Sequence, residues 1–474
     1  MDILIVTAEL APFCSDGEIG ESVAALGRAI ASQGHQVTFV MPKPSNLEDL
    51  GLMVARRLSP LEMSHHRKAA IYDGQLGNGI PVLMIESEVL EPRPAPYGED
   101  GQEYPDNLAR VAELARAAEA VAAARASAGK PFDAALGYGL AGSLLPYVDL
   151  GVPTVLAVHD PERLGLSTEA ELEVCDLLNQ EGSRDAFRFE GGVSVLRGGV
   201  LAADVVTCVS PKLALQYQDP DVSPLAKALK AADKEIYGVT PGVDYAVYNP
   251  ATDSALPTRY HAEMADRKGL CRAALLRELE LELDPAWPVF VWVGPVAATS
   301  GAEELAESLK DILKLPLRLI VAGKVGTDKA SKAVAKQLAT SKFAKLGNYR
   351  FIENPEPTLQ RRVLAAADIA LCERSSLTGH GCRVAQRYGA VPVAWDAPGA
   401  SDALVDCDAQ LVTGTGFLYG EPTSEALLGA VQRALSATAS PAFGRLRRRV
   451  MRQDLGWERA ARRYVQLLKA ARKV

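Results

Sequence analysis

Two successive sets of short, unbroken apolar runs, separated by stretches of helical periodicity, constrain this chain more than any other feature. A continuous apolar run of about 4–8 residues makes a strand buried on both faces, and such strands belong to parallel sheets flanked by helices. In the first set, ILIV at residues 3–6 precedes helical spacing over 23–30 that stops at Gly34, and VTFV at 37–40 is strand again. Strands at 154–158, ending in His159, and at 205–209, ending in Ser210 and Pro211, continue it. Between about 42 and 130 the alternation lapses; a Pro-rich stretch at 91–104 reads as a loop and an Ala-rich segment at 106–128 as a helix.

The second set predicts strands at 289–293, 317–322, 349–352, 369–371 and 391–394, with helices beginning at 303 and 329 and spanning 359–366 and 383–388. The expected fold class is therefore α/β, with two doubly wound, Rossmann-like sheets. A chain of 474 residues exceeds what one core organises, which supports two domains, at 1–243 and 244–456, and a closing helix at 457–474. A glycine-containing loop at 17–20, just before the first helix, places free N–H groups and the positive end of a helix dipole where an anion would be favoured.

Charge narrows the partners. A net charge of −8 repels phosphate backbones and anionic lipid, so neither nucleic acid nor membrane is expected. The basic run Arg445, Arg447, Arg448, Arg449 and Arg452 reads as a solvated helix face. Seven scattered cysteines show no zinc-type spacing, so reduced thiols in a cytoplasmic protein with no metal and no cofactor are expected, Cys382 being the one to watch. No basic leader precedes the first strand, and no apolar run approaches the length of a membrane span.

Six separated strings, in order, resemble bacterial glycogen synthase and plant starch synthase over nearly the whole chain. They are ILIVTAELAPF (3–13), GGVLAADVVTCVSP (198–211), GVDYAVYNPATD (242–253), RYGAVPV (387–393), GTGF (414–417) and MRQDLGWERAARRY (451–464). The resemblance implies glycosyltransferase B (GT-B) architecture, two Rossmann-like domains facing across a cleft, with a last helix that crosses back onto the first domain. It also implies an α-glucan or small-molecule ligand in that cleft. Tyr388 and Gly389, within the fourth string, read as helix-end packing.

The same resemblance exposes what is missing. The family's Lys-x-Gly-Gly-Leu loop, which holds the donor phosphates, aligns with Ser15, Asp16, Gly17, Glu18 and Ile19. At roughly 4 Å and an effective dielectric near 20, a carboxylate facing a phosphate costs about 4 kcal/mol, on the order of a thousandfold in affinity. The family's Arg and Lys that stabilise the departing diphosphate are replaced by Pro295 and Ser300, a loss expected to exceed about 10²- to 10³-fold in rate. The family's donor-sugar Glu aligns with Ser376, followed by Leu377, Thr378, Gly379, His380, Gly381 and Cys382, and its His-Asp-Trp with Tyr138, Gly139 and Leu140.

What remains is Glu9 at the acceptor-side Glu, Gly17 in the phosphate loop, His159 at the family's His-Asn-Leu position, and Gly379 and His380 near the donor. His159 reads equally as a ligand contact and as a packed neutral ring satisfying backbone groups. Lys324, Arg374 and His380 are the candidate substitute cations. Three readings stay open: a non-catalytic relative binding a glucan, metabolite or protein partner; a working retaining transferase moving glucose from ADP-glucose or another nucleotide-sugar to an α-glucan; and a scaffold unrelated to sugars.

Overall fold

The computed structural model describes residues 1–14, 17–47, 49–77, 79–99, 102–175, 183–281, 286–344, 346–374 and 376–472. The chain divides into two compact units, Met1–Pro241 with Trp457–Val474, and Gly242–Gly456.

The first unit is built on β1 (Asp2–Val6), β2 (Gln36–Pro42), β3 (Lys68–Leu76), β4 (Ile80–Glu86), β5 (Ala134–Tyr138), β6 (Thr154–Val158), β7 (Val205–Cys208) and β8 (Ile236–Gly238). Their order is β8-β7-β6-β5-β1-β2-β4-β3, with the short Ala55–Arg56 at the β3 edge and Leu61–Glu62 also paired to β3. All neighbours from β8 to β4 run parallel, and β3 joins β4 as an antiparallel hairpin. That hairpin escapes a sequence reading because KAAIYDGQL alternates weakly and carries Asp73 and Gly74. The order reverses direction between β1 and β5, so the loops leaving those two strands diverge and open a crevice at their carboxyl ends.

The first helix, α1 (Glu18–Ser32), starts earlier than its apolar spacing suggests: Gly17 is the N-cap at φ 100°, and Glu18 and Glu21 lie in the first turn. Gly20 is thus buried inside the helix rather than in a loop before it. Acidic first-turn side chains suit the positive end of the dipole, which explains the early start. The Ala-rich α2 (Asn107–Ser127) buries Glu113 and Arg116, with Arg67 also paired to Glu113 at 2.8 Å. The helix Glu458–Ala471 packs Ala461, Tyr464 and Leu468 into the core beneath α1 and the sheet.

The Pro-rich segment before α2 is pinned rather than loose. Arg93 makes two 2.7 Å bonds to Asp106 and lies 4.3 Å over the Tyr104 ring, and Asn107 Nδ2 donates to the Tyr97 carbonyl at 2.8 Å. The Arg93 hydrogen bond holds the Asp106 carboxyl below its ordinary pKa. A depressed carboxylate contributes stability above its unfolded pKa of about 4, and that contribution fades as pH falls through the folded value. Amide protection factors at residues 91–99, corrected for the intrinsic pH dependence of exchange, should therefore stay high from pH 7 to 5 and fall below about pH 4. In Arg93→Gln, protection should already be low at pH 7 and change little with acid; matching protection profiles for both proteins would refute the pin.

The second unit is a six-stranded parallel sheet of β9 (Val289–Val293), β10 (Arg318–Gly323), β11 (Tyr349–Glu353), β12 (Ile369–Leu371), β13 (Val391–Trp395) and β14 (Phe417–Tyr419), ordered β11-β10-β9-β12-β13-β14. Its switch point lies between β9 and β12. Helices α3 (Lys268–Glu278), α4 (Ala302–Ile312), α5 (Pro357–Ala366) and α6 (His380–Arg387) cover the faces. The basic run, on the helix Phe443–Met451 and just beyond it, is not simply a solvated face. Arg447 pairs with buried Asp368, Arg449 donates to the carbonyls of Leu411, Val412, Thr413 and Gly414, and Arg452 pairs with Glu263.

Candidate functional site

In the first unit the expected residues cluster where the central strands end. Glu9 follows β1, Tyr138 is the last residue of β5, and His159 follows β6; all three are buried. Thr7 fixes the Glu9 backbone, its Oγ1 donating to Glu9 O at 2.8 Å and accepting from Glu9 N–H at 3.1 Å. Tyr138 Oη lies 3.0 Å from His159 Nδ1. Burial, and then the nearby charges of Tyr464, Glu18 and Glu9, push the Tyr138 phenol far above its ordinary pKa, so it stays protonated. The phenol can donate to Nδ1 or accept from it, so this contact couples the Tyr138 hydroxyl to the tautomer of the His159 ring.

Tyr97 joins this group and was not singled out in the sequence. Its Oη accepts from Ala141 N–H at 3.2 Å, Arg163 lies 4.8 Å over its ring, and burial followed by the Glu9 charge raises its pKa. The signal was a tyrosine set among prolines and glycines in a loop that α2 anchors. Gly17 and Glu18 lie at the start of α1, so the carboxylate read from the sequence does stand at that helix end. Ser15 lies outside the described residues.

Tyr138→Phe removes one buried hydrogen bond and should lower stability by about 1 kcal/mol. It should also shift the tautomer balance of the His159 ring, visible in nitrogen-15 spectra. Unchanged His159 nitrogen shifts would show that Tyr138 does not set the ring.

In the second unit the loop after β9 carries residues 294–301. Pro295 is exposed, whereas Ser300 is fully buried and staples the turn: its Oγ donates to Ala297 O at 2.8 Å and accepts from Ala297 N–H at 3.1 Å. Arg374 N–H reaches Ser300 O at 2.7 Å, tying this loop to the one after β12. Val296 N–H donates to Lys324 O at 2.8 Å, placing Lys324 in the adjacent turn with its side chain exposed. The Arg374 guanidinium is paired with Glu304 on α4.

The start of α6 holds the remaining candidates. Gly379 is the N-cap at φ 65° and packs against the Gly399 backbone, a close approach that requires glycine. The His380 N–H donates to Thr378 Oγ1 at 3.1 Å and to Ser376 Oγ at 3.3 Å, and its ring meets Tyr248 edge-on at 5.6 Å. Ser376 therefore acts as a local cap. Burial and contact with Cys382 raise the Cys372 thiol pKa, the contact being the larger cause. Among the described residues no His, Cys, Asp and Glu group is placed to hold a metal, and no helix is long and apolar enough to cross a membrane.

Two units of alternating strands and helices, with candidate side chains at the carboxyl ends of the central strands, define a GT-B-type α/β architecture. The fold agrees with the catalytic domain of starch synthase IV from Arabidopsis thaliana, a structure bound to ADP and acarbose, at a TM-score of 0.86 and 22% identity, covering 100% of this chain and 99% of that one. A sucrose-phosphate synthase from Thermosynechococcus elongatus matches less closely, at a TM-score of 0.60 and 17% identity. Residues 2–231 match the starch synthase catalytic domain model. The glycogen synthase of Anaeromyxobacter sp. (strain Fw109-5) is 30% identical, with 99% of each chain covered, and that of Paracidovorax citrulli is 28% identical over 100% of this chain and 95% of its own. The chain belongs to the glycogen synthase family.

Proposed function

We propose that this protein serves α-glucan metabolism in the cytoplasm, with a glucan or small sugar as its ligand, and that it does not turn over a nucleotide-sugar by the family's usual route. What supports the reading is the alignment that the resemblance implies, which sets Ser15, Pro295 and Ser300 at the positions of three family cations, while one candidate replacement, Arg374, is engaged by Glu304. A diphosphate leaving group needs positive charge most at the moment its bond breaks, so these replacements act on the barrier as well as on binding. Glu9, Tyr97, Tyr138 and His159, by contrast, form a hydrogen-bonding group suited to sugar hydroxyls.

A second reading is favoured by the end-to-end match to glycogen synthases: a working retaining transferase that moves glucose from ADP-glucose or another nucleotide-sugar onto an α-1,4-glucan. Incubation with radiolabelled nucleotide-glucose and glycogen separates the two. Incorporation at family rates supports the second, and none across several donors supports the first.

A further inference from the structure

Absent cations do not account for Glu373, which no motif singled out. It follows β12 by two residues, at the switch point beside β9, where an open parallel sheet meets its ligands. A Cβ placed on Gly294, the first residue after β9, would lie 2.8 Å from Glu373 Oε2. One placed on Gly381, in the first turn of α6, would lie 2.8 Å from Oε2 and 3.1 Å from Oε1. The carboxylate thus occupies room that two missing side chains leave, between the β9 loop and the helix start. It lines a small pocket together with Arg374, Ser376, Gly379 and Trp395. A helix start at a switch point is where a phosphate is ordinarily favoured, and here an anion of the chain's own already stands.

Resting on the reading that the donor half does not hold a nucleotide-sugar, we propose that Glu373 is the charge-selectivity residue of this pocket, excluding diphosphate-bearing ligands by occupying the place a phosphate would need. The exclusion is electrostatic and steric together: a phosphate oxygen brought to within about 4 Å of the carboxylate meets a like charge worth up to about a thousandfold in affinity.

Calorimetric titration of the full chain with ADP, and separately with inorganic pyrophosphate, tests this on the wild type and on Glu373→Gln, Glu373→Ser and Glu373→Asp. The two neutral variants should bind both probes ten- to a hundredfold more tightly than the wild type, while the Asp variant, which keeps the charge, should stay weak. A folded Gln variant no tighter than the wild type overturns the role. If Gln disrupts folding the Ser variant decides, and failure of both to fold assigns the carboxylate to holding the loops together and overturns it as well. Micromolar ADP binding by the wild type would sink the underlying reading; equally weak binding by all four proteins sinks only the part given to Glu373.

Discussion

Replacing Lys268 by Met is expected to destabilise the second unit by about 3 kcal/mol, the largest loss foreseen for any single side chain discussed. Lys268 is buried at the start of α3, and its Nζ donates to Leu364 O at 2.8 Å, Ala365 O at 2.9 Å and Tyr388 O at 2.8 Å. Those carbonyls close the carboxyl ends of α5 and α6, so one ammonium serves two negative helix ends. Burial is the main cause of its lowered pKa, which means the charge is held at a cost. Met fills the same volume and removes that cost, yet leaves the Ala365 carbonyl without this donor and weakens the other two. Tyr388 O keeps the Tyr260 hydroxyl at 2.8 Å, and Leu364 O keeps the Ala367 N–H at 3.3 Å, which limits the loss. Urea unfolding measures it; a midpoint within error of the wild type would show that the three carbonyls do not need the lysine.

Glucose transfer from ADP-glucose to glycogen should run at least about a thousandfold slower than in a family glycogen synthase assayed beside it. Removing one group that stabilises developing charge costs about 10²- to 10³-fold, and on the proposed reading Pro295 and Ser300 stand where the family has two cations that face the leaving group. On that reading Ser300 does not stand in for a flexible lysine. Its hydroxyl is committed to Ala297 inside a fully buried turn. Turnover within tenfold of the reference enzyme would show that the chain finds its positive charge elsewhere.

Much of the architecture was legible because buried parallel strands announce themselves: residues 3–6, 154–158 and 289–293 need no context to be recognised, and β1, β6 and β9 lie there. The β3–β4 hairpin was not, since Asp73 and Gly74 break the alternation that an edge strand tolerates. Arg445 and Arg452 are exposed as a solvated helix face requires, whereas Arg447 and Arg449 are not simply solvated. Their acceptors, Asp368 and the carbonyls at 411–414, are distant in sequence, so local periodicity cannot reveal them.

At the site, Glu9 and His159 could be placed from strand ends and family strings, whereas Tyr97 and Glu373 could not. Each depends on a contact made by folding: Tyr97 with the Ala141 backbone, Glu373 with the space above Gly294 and Gly381. A substitution for glycine is informative only once the neighbour that fills the gap is known.

Direct titration of the wild-type chain with ADP-glucose by calorimetry bears hardest on the central claim, that the second unit is no longer built to hold a diphosphate. Dissociation constants of a millimolar or weaker, with little dependence on salt, are the predicted result. Saturable micromolar binding that weakens steeply as salt rises would contradict it, because such binding requires cations engaged with the phosphates.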